Sequence, residues 1–255
     1  MKNLFSLEGK TAVVTGGSRG IGAMIARGFV ENGVKTYITA RNEEVLQATA
    51  DKLGAYGECI AIPSNLSTLE GVCAFADEIK ERESALHILI NNAGATWGAS
   101  IDEFPEGGWD KVMDLNVKSI FFLIQQLLPL LRLAASAEDP ARIVNIGSMN
   151  GTTHPHMNNY SYSASKAAVH HLTRHLGGDL AADNINVNGI APGFFPSKMT
   201  AHMLEHEAEM AKGIPRGRIG KAEDAAGTAI YLCSPASAWV VGHMVALDGG
   251  SVAIA

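Results

Sequence analysis

The stretch TAVVTGGSRGIGAMIARGFVEN, residues 11–32, carries the signals that decide the fold of this chain. Thr11–Thr15 is a short, β-branched apolar run, which is typical of a strand covered on both faces. A glycine cluster and a helical pattern from Ala23 to Asn32 follow it. A glycine-rich turn between a strand and a helix lets backbone N–H groups approach a pyrophosphate at the positive end of the helix. The spacing Gly-x3-Gly-x-Gly therefore predicts a nucleotide site, with an unliganded tight turn as the alternative.

The rest of the chain alternates between strand and helix patterns. Six further apolar runs predict strands, at Val34–Ala40, Tyr56–Pro63, Leu86–Ile90, Arg142–Ile146, Ile185–Ile190 and Met244–Leu247. Helices are predicted from the cap Asn42 to Gly54, from Ser67 with Glu70 as a capping box, over Glu106–Arg132, from the Tyr162 segment to Ala182, and over Ala201–Lys212 and Ala222–Cys233. Regular alternation favours an α/β fold with one doubly wound, Rossmann-like parallel sheet, helices on both faces, and ligands at the carboxyl ends of the strands.

Length and composition bound the class of protein. We expect residues 1–255 to form a single domain, because a chain of 255 residues can bury one large core. A net charge of −6 argues against a nucleic-acid surface. Three cysteines without metal-like spacing indicate a reduced, cytoplasmic compartment, and no secretory signal pattern opens the chain. The apolar run Ser119–Ala135 contains Gln125, Gln126, Pro129 and Arg132, so we expect a helix buried by the sheet or another subunit and no membrane insertion.

A second stretch, residues 143–169, carries candidate chemistry. Its strand ends at Ser148, and the helix that follows holds Tyr162 and Lys166 four residues apart, on one face. A cation at ~4 Å is expected to lower a phenol pKa by roughly three units. Tyr160 has Ala164 at the same spacing and serves as a control. Tyrosine, lysine and serine around one oxygen suit proton transfer to or from an alcohol or ketone.

Two arginines predict the choice of cofactor. Arg41 follows the second strand, where an acidic residue would bind a ribose 2′-hydroxyl and an arginine accommodates a 2′-phosphate. Arg19 lies within the glycine turn and can reach the same place. Two cations and no carboxylate favour NADPH/NADP over NAD.

Taken together, the motifs identify a family resemblance over nearly the whole chain. They are TGGSRGIG (residues 15–22), NNAG (91–94), LNV around Asn116, IGS ending at Ser148, YSASK (162–166), APG (191–193) and a terminal DGG. With these the chain resembles the short-chain dehydrogenase/reductase family. It looks most like the 3-oxoacyl thioester reductases of the branch associated with rhamnolipid synthesis, through AYGECIAIP (55–63) and IQQLLPLLR (124–132).

The resemblance implies a role for each site residue. Ser148, Tyr162 and Lys166 would be catalytic, with Asn116 holding a water that extends the proton path, and Lys166 would also bind the nicotinamide ribose. The other cofactor-binding residues implied are Gly16, Ser18, Arg19, Gly20, Ile21, Gly22, Arg41, Asn65, Leu66, Asn92, Gly94, Pro192, Gly193, Phe195 and Ser197. The resemblance also implies a homotetramer built on the Ser119–Ala135 and Tyr162 helices.

Three positions depart from the family pattern. Asn65 replaces an aspartate for the adenine amino group, although its carbonyl can accept the same bond. Ser197 replaces a threonine and keeps the hydroxyl. Asp183 stands where fatty-acid-synthesis members place an arginine that faces acyl carrier protein, which leaves coenzyme A thioesters or free ketones open as substrates.

The sequence predicts NADPH-dependent reduction of a ketone, with Tyr162 as the proton donor. Oxidation of a secondary alcohol, sugar or steroid by the same residues is one alternative, and a non-catalytic NADP-binding sensor is another. The spacing His202-x2-Glu205-His206 matches that of inverted zinc proteases, but it lacks a third ligand, so we expect no metal.

Overall fold

The computed structural model describes residues 3–154, 157–196 and 207–255. Seven strands form one sheet in the order β3-β2-β1-β4-β5-β6-β7, and each pair of neighbours is parallel. The strands are β1 Thr11–Thr15, β2 Lys35–Ala40, β3 Cys59–Pro63, β4 Ile88–Asn91, β5 Ala141–Ile146, β6 Ile185–Pro192 and β7 Met244–Leu247. The predicted doubly wound parallel sheet is confirmed.

Helices cover both faces of this sheet. They are α1 Gly20–Glu31, α2 Glu43–Leu53, α3 Leu69–Arg82, α4 Glu106–Met113, α5 Ser119–Ala134, α6 Tyr160–Leu180, α7 Glu207–Lys212 and α8 Ala222–Cys233. One core holds apolar side chains of α1, α2 and α8, and the other those of α3, α5 and α6. The order of strands reverses between β1 and β4, and a parallel sheet opens a crevice at such a point.

Several predicted boundaries move by a few residues. Asn42 caps α2 as predicted, with its Oδ1 accepting the Val45 N–H at 2.8 Å. The cap of α3 was wrong, because Thr68 and not Ser67 precedes that helix and accepts the Gly71 N–H at 3.1 Å. Ser67 instead donates to Asn65. Serine and threonine are both favoured N-cap residues, so the sequence pattern alone could not tell which of the two caps α3.

The long helix predicted over Glu106–Arg132 is continuous from Glu106 to Ala134, with a π-helical turn at Asp114–Lys118. By length and mean hydropathy of 1.4 alone, this one helix among the described residues would suffice to cross a membrane. Its α5 part lies in the core, however, with Leu123, Leu127 and Leu131 buried beside the sheet. A helix in the core of a protein can meet the same criteria of length and hydropathy, so these criteria alone do not indicate a membrane span.

Some predictions fall outside the described residues. These include Ser197, the segment His202–His206, and all of the predicted helix Ala201–Lys212 except its end, which forms α7. Among the described residues, no group of three or more His, Cys, Asp or Glu side chains is placed to hold a metal.

Candidate active site

The turn between β1 and α1 leaves a helix N-terminus free toward the crevice. Arg19 precedes α1 without a side-chain cap, and the first helical turn holds no acidic residue. The first N–H groups of a helix have no partner within the helix, and together with the helix dipole they attract an anion. Gly16 and Gly20 have φ values of 66° and 56°, in the left-handed region that favours glycine. The turn therefore fits a pyrophosphate.

Asn92 ties the end of β4 to this turn. Its Nδ2 donates to Thr15 O at 2.8 Å and to Gly16 O at 3.2 Å. A Cβ at Gly22 would collide with the same Nδ2, so glycine at this position leaves room for the Asn92 side chain to reach the turn. The Asn92 side chain thus serves as a brace of the turn as well as part of the cleft wall.

The two arginines lie at the ends of the first two strands, as predicted. Arg19 and Arg41 are both exposed, and both line the same cleft. Within the described part of the chain neither guanidinium forms an ion pair. Two cations without a protein carboxylate suit a phosphate group.

Tyr162, Lys166 and Ser148 meet at the carboxyl end of β5. Lys166 is 4% exposed, and its Nζ donates to Ile146 O at 2.7 Å. The same Nζ lies 5.6 Å from the centre of the Tyr162 ring. The Ser148 side chain lies close enough to Tyr162 to affect the pKa of the phenol, and both residues line the same cleft. The predicted cluster is therefore assembled.

The predicted lowering of the tyrosine pKa was wrong for this arrangement. Burial raises the pKa of Tyr162, while the neighbouring Ser148 side chain acts in the opposite direction. Burial also lowers the pKa of Lys166 to about 8. The ammonium bonds a backbone carbonyl and stands over the aromatic ring, so its charge does not offset the loss of water around the phenol. Tyr162 consequently holds its proton at neutral pH.

Asn116 lies in the π-helical turn and is fully buried. Its Oδ1 accepts the Ala95 N–H at 2.8 Å, and its Nδ2 donates to Ala95 O at 3.0 Å and to Ser165 Oγ at 2.9 Å. Ser165 Oγ in turn donates to Tyr162 O at 2.7 Å. The amide therefore joins the loop after β4, the π-helical turn and α6. π-helical turns are frequent at functional sites.

A cleft of about 800 Å³ connects the glycine turn to the Tyr162 cluster. The predicted residues that line it are Gly16, Ser18, Arg19, Gly20, Ile21, Arg41, Leu66, Asn92, Gly94, Ser148, Tyr162, Lys166, Pro192, Gly193 and Phe195. Gly94 approaches closely, since a Cβ there would stand 3.3 Å from Asn116 Oδ1 and 3.8 Å from Lys166 Nζ. One continuous cavity thus holds both predicted halves of the site.

Three predicted residues do not line this cleft. Gly22 and Asn116 lie behind its wall, and Asn65 is exposed with its Oδ1 accepting from Ser67 Oγ at 2.7 Å. Lining residues that sequence reasoning missed are Thr39, Asn42, Ser64, Ala95, Thr96, Lys111 and Leu115. Most of these adjoin the carboxyl ends of strands, which is a usable signal. Lys111 and Leu115 come from α4 and the π-helical turn, and no sequence pattern marks them.

One cleft thus joins an uncapped helix N-terminus, two arginines without an ion pair among the described residues, and the Ser148–Tyr162–Lys166 cluster. These features fit the site of a dinucleotide-dependent oxidoreductase. Residues 10–208 match the short chain dehydrogenase family. The chain belongs to this family, and the predicted resemblance is confirmed.

Individual relatives agree with this assignment. The chain is 50% identical over 254 residues to a rhamnolipids biosynthesis 3-oxoacyl-[acyl-carrier-protein] reductase of Pseudomonas aeruginosa, covering 98% of this chain and 99% of that one. It superposes on the Pseudomonas aeruginosa RhlG/NADP active-site complex with a TM-score of 0.95, at 48% identity and coverage of 99% and 100%. It also resembles a gluconate 5-dehydrogenase of Burkholderia cenocepacia in complex with NADP and tartrate, with a TM-score of 0.89, 31% identity and 98% coverage of both chains.

Proposed function

We propose that this protein reduces a ketone to a secondary alcohol with NADPH, and that Tyr162 donates the proton. The observation that carries the proposal is the single cleft that joins the Ser148–Tyr162–Lys166 cluster to the uncapped start of α1. Similarity to two solved complexes with NADP supports the cofactor. Residues 1–255 are proposed to act as one dinucleotide-binding and catalytic domain.

In the proposed mechanism the cofactor, when bound, supplies a hydride to the carbonyl carbon. Ser148 and Tyr162 hydrogen-bond the carbonyl oxygen, and Tyr162 transfers its proton to that oxygen as negative charge develops there. The raised pKa of Tyr162 keeps the acid loaded at neutral pH, because a buried phenol ionises less readily. Lys166, with its pKa near 8, remains mostly protonated and stabilises the phenolate that is left. Asn116 holds the elements in place and is proposed to hold a water that extends the proton path.

The substrate is proposed to be a 3-oxoacyl thioester. The name of the Pseudomonas aeruginosa relative supports this class, and its 50% identity extends over nearly the whole chain. The sequence left the carrier open because of the acidic Asp183. In the structure Asp183 forms an ion pair with Arg132 at 2.8 Å, so its charge is partly compensated and it does not by itself exclude an acidic carrier protein.

A substrate panel tests this function. NADPH oxidation is followed with 3-oxoacyl-coenzyme A, 3-oxoacyl carrier protein, a short 3-oxoacyl thioester that lacks the carrier, and 5-ketogluconate. We expect the thioesters to be the best substrates, with Tyr162→Phe as the inactive control. Tight NADPH binding without turnover of any ketone would favour the sensor alternative, and a preference for 5-ketogluconate would move the substrate class to sugar acids.

Assembly and location are also proposals. We propose a homotetramer, because α5 leaves Phe121 and Leu133 exposed and α6 leaves His171 and His175 on its outer face. We also propose a cytoplasmic location, which the three free cysteines support. Light scattering at micromolar concentration tests the assembly. A stable monomer contradicts it without affecting the proposed reaction.

A further inference from the structure

His170 is a buried imidazole that the proposed chemistry does not use. It follows Tyr162 and Lys166 on α6 at intervals of four, so the three side chains share one face of the helix. Only 6% of the residue is exposed. An aromatic or aliphatic side chain would fill the same space without burying polar atoms. A buried imidazole is therefore expected to form hydrogen bonds through its ring nitrogens.

The ring bonds both ends of the turn that carries Ser148. The Ser148 N–H donates to His170 Nε2 at 3.4 Å, and His170 Nδ1 lies 3.4 Å from Thr152 Oγ1. Because Nε2 accepts, the neutral ring carries its proton on Nδ1 and donates it to Thr152. The two bonds span the 3₁₀ turn Met149–Gly151, from which the Asn150 N–H also donates to Ser148 Oγ at 3.2 Å.

Glycines allow the ring to come this close. A Cβ at Gly147 would collide with His170 Nε2, and one at Gly151 would stand 2.8 Å from His170 Cε1. The imidazole is therefore packed against the backbone on both sides of Ser148. Burial lowers the pKa of His170, the positive charges of Lys166 and Arg174 act in the same direction, and the contact with the Ser148 backbone acts against them, so the net change favours the neutral ring.

We propose that His170 is the positioning residue of Ser148, whose hydroxyl it aims at Tyr162 by holding the Ser148 backbone and the turn that follows. This inference rests on the proposed function and deepens it. His170 does not line the cleft itself and reaches it only from behind, through Gly147 and Ser148, so we expect it to act on the reaction through this turn.

The main test compares His170→Leu with His170→Gln. Leucine fills much of the space without an acceptor, whereas the glutamine Oε1 can accept the Ser148 N–H in place of Nε2. With the best ketone of the panel we expect His170→Leu to lower kcat about tenfold, the scale of one lost hydrogen bond, and to leave the Kd for NADPH within about twofold. His170→Gln should recover most of kcat. Equal losses in the two variants overturn the proposal.

A double-mutant cycle with Ser148→Ala distinguishes positioning from general damage. If His170 works through Ser148, then His170→Leu should change the residual kcat of Ser148→Ala by less than about twofold, because coupled residues are not additive. A full tenfold loss in that background contradicts the inference. His87→Leu is the matched control: its imidazole also accepts a backbone N–H, from Thr11 at 3.1 Å, but it lies away from the cleft. That variant should lose stability and keep kcat.

Hydrogen exchange supplies a readout that does not need activity. In His170→Leu the peptide covering the turn 148–152 should exchange at least about tenfold faster than in the wild type, since its anchoring bond is lost. The same peptide in His87→Leu should be unchanged. Unaltered exchange in His170→Leu overturns the positioning role whatever the substrate proves to be, whereas a wild type that turns over no ketone overturns the proposed function alone.

Discussion

The two halves of the cleft differ in how they carry charge. At the carboxyl ends of β1 and β2, Arg19 and Arg41 are exposed and form no ion pair within the described residues. Beyond β5, Lys166 and Asn116 are buried and bonded to neighbouring elements. Both halves carry positive charge, but only the second buries its cation, Lys166.

We expect the exposed half of the cleft to set the affinity for the cofactor and the buried half to carry out the reaction. Exposed cations attract a phosphate and can be exchanged without disturbing the core, because each makes few contacts with the protein. Buried polar groups have shifted pKa values and depend on each other's hydrogen bonds, so removing one leaves another unsatisfied. Substitutions in the first half should therefore change cofactor choice, and those in the second half should change turnover or stability.

The largest expected effect is in the buried half. Tyr162→Phe keeps the ring and removes the proposed proton donor, so kcat should fall by at least ~10²–10⁴-fold, the usual contribution of general acid catalysis. NADPH binding, measured by fluorescence titration, should persist.

Tyr160→Phe is the matched control. Tyr160 lies two residues earlier, its hydroxyl bonds only Asn158 at 3.4 Å, and its ring packs on Phe104 with centroids 5.8 Å apart. Its loss should leave kcat nearly unchanged. A Tyr162→Phe enzyme with most of its activity would remove Tyr162 from the mechanism.

The next effect is in the exposed half. Replacing Ala40 with Asp and Arg41 with Ser offers an acceptor to a ribose 2′-hydroxyl and repels a 2′-phosphate. Charge-assisted hydrogen bonds contribute roughly 1.5–3 kcal/mol each, so the ratio of kcat/KM for NADPH over NADH should fall by about 10²-fold or more. The folded state should be as stable as the wild type. If the wild type already prefers NADH, the arginines do not serve the adenosine ribose.

A smaller effect tests the hydrogen bonds that join Asn116 to Ala95 and Ser165. Ser165→Ala removes one of the two acceptors of Asn116 Nδ2, keeps the bond to Ala95 O, and leaves one buried N–H of the amide unsatisfied. We expect a loss of about 1–3 kcal/mol in the free energy of unfolding, measured in urea. Ser163→Ala, on the same helix with only a 3.5 Å bond to Asn159, should cost much less. Equal costs would show that the amide does not depend on Ser165.

The smallest expected effect is on stability against pH. Burial lowers the pKa of both His87 and His170 below the ordinary value. Below ~6.5 the unfolded chain binds protons that these two rings resist, so this part of the stability is complete above ~6.5 and declines as the pH falls. Urea midpoints at about pH 7.5 and about pH 5.5 lie on the two sides of that value. The decline should be shallower in His87→Gln/His170→Gln, and an identical decline would contradict the assignment.

The sequence by itself determined the architecture and the main residues of the site. Strand runs, the glycine turn and the spacing of Tyr162 and Lys166 are local patterns, because a helix places residues four apart on one face and a parallel sheet collects its loops at one edge. For the same reason Arg19 and Arg41 were predicted to meet at the cleft. The end of the fifth strand predicted Ser148, whereas Asn116, whose partners Ala95 and Ser165 lie far away in sequence, was predicted only by the family motifs.

Only the tertiary structure decided the pKa shifts at the site and the long-range contacts that hold its residues in place. The pKa of Tyr162 rises because burial outweighs the opposing effect of Ser148, and no spacing in the sequence reports burial. His170 beneath Ser148 and Arg132 beside Asp183 are pairs separated by 22 and 51 positions. Such contacts depend on which helix packs on which strand, and a pattern read along the chain does not contain that information.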